Sequence, residues 1–220
     1  LPDVDDARPV SGFYAELAPY GRWLEDPVQG WVWTPYDMDP LWRPYTVGQW
    51  VWSNEGWIWI SDQPWGWATE HHGRWRPDGD YGWVWVPGTE WAPAWVRWRV
   101  GDDWVGWAPV PPDTVASGRT TERKPVDDAW TFVPRDRVLD ERPRRHAASI
   151  VRNRTLVEQT RLLEGSGDDG AGIFDSGPDP ARMAWSVTPR RVVEAAEPVP
   201  ASRASDSSVV TVYRPRITGD

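Results

Sequence analysis

Three kinds of residue in this 220-residue chain have the chemistry to act, and each needs a particular geometry. Glu70-His71-His72 with nearby Asp78 has the right atoms for a divalent metal, but adjacent histidines on a strand point to opposite faces, and neither H-x-H nor H-x-x-x-H spacing is present. Asp78-Gly79-Asp80 has the start of a calcium loop, yet Gly82 and aromatic residues stand where further acidic ligands are needed, so a hairpin turn is the expectation. The run Gly165 to Gly170 matches G-x-G-x-x-G but places Asp168 and Asp169 where a pyrophosphate would lie, which opposes dinucleotide binding. Asp102-Asp103 has the types for acid–base work, but two neighbouring carboxylates between Trp98 and Trp104 look like a hairpin tip. No G-x-S-x-G, P-loop or H-E-x-x-H appears, and without Cys there is no thiolate ligand, nucleophile or disulfide. The expectation is therefore a protein that is not an enzyme and carries no cofactor and no metal.

What remains is aromatic and cationic. Twenty Trp are present, 18 of them between Trp23 and Trp107. Most are expected in cross-strand packing, but Trp is also enriched at interfaces and its flat ring stacks on sugars, so a minority exposed as a rigid platform would bind a partner. Trp42, Trp65, Trp67, Trp91 and Trp95 are the candidates for it. Between Arg135 and Arg154 lie seven Arg against three acids, a local charge of +4. Arg135, Arg137, Arg142, Arg144 and Arg145 join the candidates for partner binding, although pairing with acidic groups of the same chain is the competing use of such a run. Arg22, Arg43, Arg74, Arg76, Arg97 and Arg99 lie among Trp and are expected to stack on indoles.

The elements that must position these groups follow from a repeat. Gly30-Trp31-Val32-Trp33-Thr34-Pro35, Gly56-Trp57-Ile58-Trp59-Ile60, Gly82-Trp83-Val84-Trp85-Val86-Pro87 and Gly106-Trp107-Ala108-Pro109 recur at intervals of 26, 26 and 24 residues. Gly21-Arg22-Trp23, Gly48-Gln49-Trp50 and Gly73-Arg74-Trp75 precede the first three, and Trp98 or Trp104 serves the last. Period-2 alternation of Trp and Val, with Gly, Asn and Asp between the runs, makes each unit a β-hairpin. In a W-x-W strand both indoles share one face, so Trp31/Trp33, Trp57/Trp59 and Trp83/Trp85 should occupy equivalent places in successive hairpins. Val51, Ile58 and Val84 then line an opposite face that is also apolar. Such a sheet must curl, pack on the second half, or keep Trp for a partner.

The expected fold is mainly β: Trp-rich antiparallel β-hairpin repeats of about 26 residues forming a curled sheet or barrel-like domain over residues 1–112, then a smaller mixed β and short-helix region over 113–220 packed on it. In that second region Trp130 to Val133, Ala148 to Val151, Arg190 to Glu194 and Val209 to Arg214 read as strands. Pro134 to Leu139 and Pro180 to Trp185 read as short helices, and Thr155 to Leu163 as a strand or a helix.

Leu, Ile, Val and Phe total 41 residues, a level at which a charged chain without these indoles would stay unfolded. The net charge of −9 falls wholly before Asp113, on the Trp-rich half, so a nucleic-acid backbone is repelled from the aromatic surface and no nucleic-acid partner is expected. No apolar run of 18 residues is present, so no membrane span is expected either. The sequence starts at Leu1 rather than Met, which fits a mature chain after signal-peptide removal and equally a trimmed one.

Pro64-Trp65-Gly66-Trp67-Ala68, His72-Gly73-Arg74-Trp75, Gly82 to Gly88, Trp91-Ala92-Pro93-Ala94-Trp95-Val96 and Gly106 to Pro109 together resemble the uncharacterised bacterial Trp-rich proteins with WxxGxW repeats. Phe132-Val133-Pro134 and Val212-Tyr213-Arg214-Pro215 are similar to that family's downstream half. The resemblance implies an exported protein, periplasmic or at the cell surface, with no catalytic residues to carry over. This chain lacks the extended Pro- and Arg-rich tail of longer members. The function expected is that of a non-catalytic structural or scaffold protein of the cell envelope, an accessory subunit docking on other protein subunits of a membrane-associated assembly. The alternative is a carbohydrate-binding module holding wall or capsule polysaccharide on exposed Trp.

Overall fold

The computed structural model describes residues 12–116, 119–121, 124–163, 176–199 and 208–217, and the fold is mainly β. Four antiparallel hairpins follow one another: β1 (Gly21–Asp26) with β2 (Gly30–Pro35), β3 (Gly48–Ser53) with β4 (Gly56–Ser61), β5 (His72–Asp78) with β6 (Gly82–Trp91), and β7 (Val96–Val100) with β8 (Trp104–Pro109). A short helix α1 (Tyr14–Leu17) precedes them, and α2 (Gly66–Thr69) lies between the second and third.

One register unites all four hairpins. Trp23 faces Trp33, Trp50 faces Trp59, Trp75 faces Trp85 and Trp98 faces Trp107. The equivalence expected of Trp33, Trp59 and Trp85 therefore holds, and Trp98 is the partner in the fourth copy. That copy corrects the sequence alignment. Trp107 sits where the second Trp of the other motifs sits, so Val105, rather than Trp107, is equivalent to Trp31, Trp57 and Trp83.

The register also explains the glycine that opens each upstream motif. A Cβ on Gly21 would lie 2.3 Å from the Thr34 carbonyl oxygen and 2.4 Å from the Trp33 ring; on Gly73 it would lie 2.2 Å from the Val86 oxygen and 2.8 Å from Trp85 Nε1. The missing side chain is the space into which the cross-strand indole folds. The fourth hairpin has Val96 at this position.

The sheets do not close into a barrel. The first and third hairpins join through β2 and β6, where Trp33 faces Trp85, to give a sheet ordered β1-β2-β6-β5. The second remains a two-stranded sheet. The fourth is extended by β11 (Thr131–Pro134) along β8 and by β12 (Arg161–Leu162) along β7. The remaining strands are β9 (Thr114–Ala116) with β10 (Arg119–Thr121), and a parallel pair, β13 (Arg191–Ala195) with β14 (Val209–Tyr213).

The second half covers the opposite apolar faces of the second and fourth hairpins, one of the three solutions open to a two-sided sheet. Val51, Ile58 and Ile60 pack with Val210 and Val212, while Ala108 packs with Trp130 just before β11, with Phe132 of β11 and with Leu156 of α3 (Asn153–Gln159). Gly106 belongs to this second layer, since its Cβ would meet the Phe132 ring at 2.4 Å. Three expectations are corrected here. Ile150–Arg152 forms a 3₁₀ turn in place of a strand, Pro180 to Trp185 forms turns without a helix, and Thr155 to Leu163 divides into the end of α3 and β12. The G-x-G-x-x-G run lies outside the described residues.

Candidate docking surface

Eleven of the 20 Trp are buried and none is fully exposed. Burial strips an indole N–H of water, which favours an acceptor, although the buried Trp42 and Trp50 have none. Trp33 donates to the Leu17 carbonyl, Trp75 to Thr69, Trp85 to His72, Trp95 to His71 and Trp107 to Tyr45, at 2.7–3.2 Å. The ladder is thereby tied to α1, α2, the first residue of β5 and the segments at Tyr45 and His71.

Glu70 is the polar centre of this arrangement. Its Oε1 accepts the Tyr45 N–H at 2.8 Å and its Oε2 accepts the Trp59 indole N–H at 2.9 Å. Burial pushes its carboxyl up to about 7, opposed by hydrogen bonds from Ser61, Tyr45 and Trp59. His71 and His72 are buried too, and burial pushes both rings down to about 4. His71 Nδ1 lies 3.0 Å from the Ala92 carbonyl oxygen, which makes it the donor of a neutral ring, and the ring stacks on Trp91 at 5.2 Å. Among the described residues no three His, Asp or Glu converge as a metal site. Asp78 serves the turn instead, its Oδ1 accepting the Asp80 and Tyr81 N–H groups, and Asp102 and Asp103 sit in the turn between β7 and β8.

The candidate aromatic residues separate by burial. Trp42 and Trp95 are 4% and 2% exposed, which removes them from any accessible platform. Trp42 meets Trp75 edge-on at 5.5 Å, and the Arg74 guanidinium lies 3.3 Å from the Trp95 ring centre. Trp65, Trp67 and Trp91 are half-buried. Trp65 packs against Tyr20 and Trp33, and Trp91 is engaged by His71 and by Arg214 at 3.8 Å. Trp67 meets Tyr213 at 5.1 Å, and both line a groove of about 450 Å³ with Tyr20, Asp62, Gln63 and Thr211.

The arginines separate by partner. Arg137 lies 3.5 Å from Asp136 and 3.8 Å from Asp140, both within its own run, so this pairing is local and does not reach the acidic first half. Arg135 donates to the Arg182 carbonyl and lines a different groove with Arg161 and Asp102. Arg142, Arg144 and Arg145 converge instead. Arg142 precedes, and Arg144 and Arg145 stand on, a 3₁₀ turn, Pro143–His146, whose buried Pro143 anchors it, and the three line a groove of about 540 Å³ with Thr46, Val47, Gly48 and Asp62. Arg144 makes a long 3.5 Å hydrogen bond to the Leu41 carbonyl, and none of the three has a carboxylate partner within salt-bridge distance among the described residues.

Asp62 lines both the aromatic and the arginine groove, which makes them neighbours. Sequence reasoning missed Asp62, Tyr20 and Tyr213. No local signal marks them, because they meet their groove partners only once β4 and β14 are packed.

Residues 14–114 match a family of unknown function (DUF6600). The match starts in α1 and ends as β9 begins, so it frames all four Trp hairpins and excludes the arginine turn. No curated protein and no solved structure matches the chain. No helix among the described residues is long and apolar enough to cross a membrane.

Proposed function

We propose that this protein is a non-catalytic structural and interaction protein of the bacterial cell envelope, an accessory subunit that docks on a larger, membrane-associated protein assembly. The observation that carries the reading is the groove at Arg142, Arg144 and Arg145: three guanidiniums face one carboxylate, Asp62, in a chain of net charge −9. Guanidinium is weakly hydrated and forked, which suits it to interface ion pairs. The Trp ladders supply the rigid support that such a surface needs. The envelope location rests on the resemblance to exported Trp-rich proteins.

A photocrosslinking residue at Glu141, exposed beside the arginine turn, tests this against one at Val28 in the turn of the first hairpin. In native membranes the Glu141 position should give discrete crosslinked protein bands that the Val28 position does not. Crosslinks absent from both positions, or the same from both, would remove the reading.

The alternative, polysaccharide binding, draws on the neighbouring groove, where Trp67, Tyr213 and Tyr20 offer rings beside Asp62, Gln63 and Thr211. It requires a Trp fluorescence change on glycan titration that is insensitive to salt and lost in Trp67→Ala.

A further inference from the structure

We infer that the arginine groove receives a short acidic segment of the partner protein, an inference that rests on the docking reading above and names the chemistry of the docked segment. Four cations cluster here. Besides the three at the turn, Arg43 is buried, its Nε donating to Thr131 Oγ1 at 3.2 Å, and its guanidinium is held below the usual arginine range by burial and then by the charge of Arg144, with only Asp128 opposing. Placing Arg144 within electrostatic reach of a buried arginine is unfavourable in the free protein. An incoming carboxylate relieves it. Asp62 also lines the groove, and with Asp128 near Arg43 it leaves four guanidiniums against two carboxylates.

Four arginines elsewhere in the chain are engaged differently. Arg76 bridges Asp26 and Asp78, Arg214 reaches Glu55 and Glu194, Arg99 donates to the Val157 and Thr160 carbonyls, and Arg74 covers Trp95. Arg76 and Arg214 have carboxylates and Arg99 and Arg74 a backbone or ring partner, whereas Arg142, Arg144 and Arg145 line a groove with no carboxylate within salt-bridge distance among the described residues.

The lining of that groove suits a short peptide. Besides the arginines and Asp62 it is lined by Thr46, Val47 and Gly48 at the start of β3. Its volume falls in the range of ligand clefts, and forked guanidiniums match the two oxygens of a carboxylate.

The test uses the whole chain and a glutamate oligomer of about ten residues, with a lysine oligomer, inorganic phosphate and oligogalacturonate as the other arms, read by calorimetry at low salt. The glutamate oligomer should bind, and its affinity should fall about tenfold or more in the double variant Arg142→Ser/Arg145→Ser. It should change less than about twofold in Arg135→Ser/Arg182→Ser, which carries the same charge loss at the other groove. Near-ultraviolet circular dichroism of the Trp ladder, unchanged in both variants, shows that the fold is kept. No binding by the wild type, or equal loss in the two double variants, overturns the inference. Binding of oligogalacturonate or phosphate as tight as that of the glutamate oligomer overturns it in favour of a glycan or a simple anion. Glu141 crosslinks that persist in Arg142→Ser/Arg145→Ser would sink this inference while leaving the docking reading in place, whereas loss of all crosslinks in the wild type removes the docking reading itself.

Discussion

The odd and the even hairpins bury the same motif in different ways. The first and third merge edge to edge, with Trp33 against Trp85, and Arg76 ties their turns by bonding Asp26 and Asp78. The second and fourth do not share a ladder. They pack face to face through indoles, Trp50 lying 4.5 Å from Trp98 and 5.8 Å from Trp107, and Trp59 lying 6.3 Å from Trp107. A strand pattern that is apolar on both sides thus has two exits, and one chain uses both. The lesson is that a repeat fixes the cross-strand pair but leaves the partner of each hairpin open.

Removing the indole that most even-hairpin contacts share should have the largest effect. Trp50→Ala should cost about 4 kcal/mol in urea unfolding, against about 1–2 kcal/mol for Trp23→Ala, its half-buried counterpart in the first hairpin. Equal costs would erase the distinction between the two packings.

The next effect is electrostatic and sits between the two pairs, at Glu70, His71 and His72. Glu70 titrates at about 7 in the fold against 4.5 when exposed, so the fold holds a proton that the unfolded chain releases, and stability falls as pH rises from 4.5 to 7, by about 3 kcal/mol. The two histidines, at about 4 in the fold against 6.5, act oppositely: their stabilisation is complete above 6.5 and is lost as pH falls toward 4. The two histidines outweigh Glu70 between pH 4.5 and 6.5, and near pH 7 the opposing slopes cancel, so stability should rise from pH 4 to about 6.5 and then level off. Urea midpoints taken across pH 4–8 should show that rise and plateau, and Glu70→Gln should steepen the rise by removing the opposing carboxyl. A rise left unchanged by Glu70→Gln would contradict the buried carboxyl.

Smaller still is the coupling between rings. A double-mutant cycle on Trp50 and Trp98 should give an interaction energy of about 1 kcal/mol, whereas Trp23 and Trp98, which belong to different packings, should add within about 0.5 kcal/mol. Arg76→Gln should have the least effect, about 1 kcal/mol or less, because its ion pairs are partly exposed. A larger loss would mean that the turns, rather than Trp33 and Trp85, hold the odd sheet together.

Hairpin number, strand periodicity and the equivalence of Trp33, Trp59 and Trp85 were legible in the sequence because spacing and side-chain alternation are local. The fourth copy was misaligned for a physical reason. Gly106 makes room for Phe132 of β11 on the far face, whereas Gly30, Gly56 and Gly82 serve turns at positive φ, and the sequence shows only a glycine in each case. Of the docking surface, the arginine run was visible but its division was not. Arg137 is used by Asp136 and Asp140 next door, and Arg142, Arg144 and Arg145 acquire a groove only when β3 and β4 bring Val47, Gly48 and Asp62 across from a distant part of the chain. Trp42 and Trp95 could not be told from exposed tryptophans, because both lie between strands and their burial depends on contacts with distant segments.

The docking reading rests on the Trp ladder being core, with binding left to the groove beside it. Indole N–H exchange, followed by NMR of the protein labelled in its Trp side chains, tests that most directly. The indoles of Trp33, Trp59, Trp75, Trp85, Trp95 and Trp107 should exchange orders of magnitude more slowly than those of Trp31 and Trp104 at the margins of the ladder. Uniformly fast exchange across both groups would show that the ladder faces solvent, and the assignment of binding to the arginine groove would fall with it.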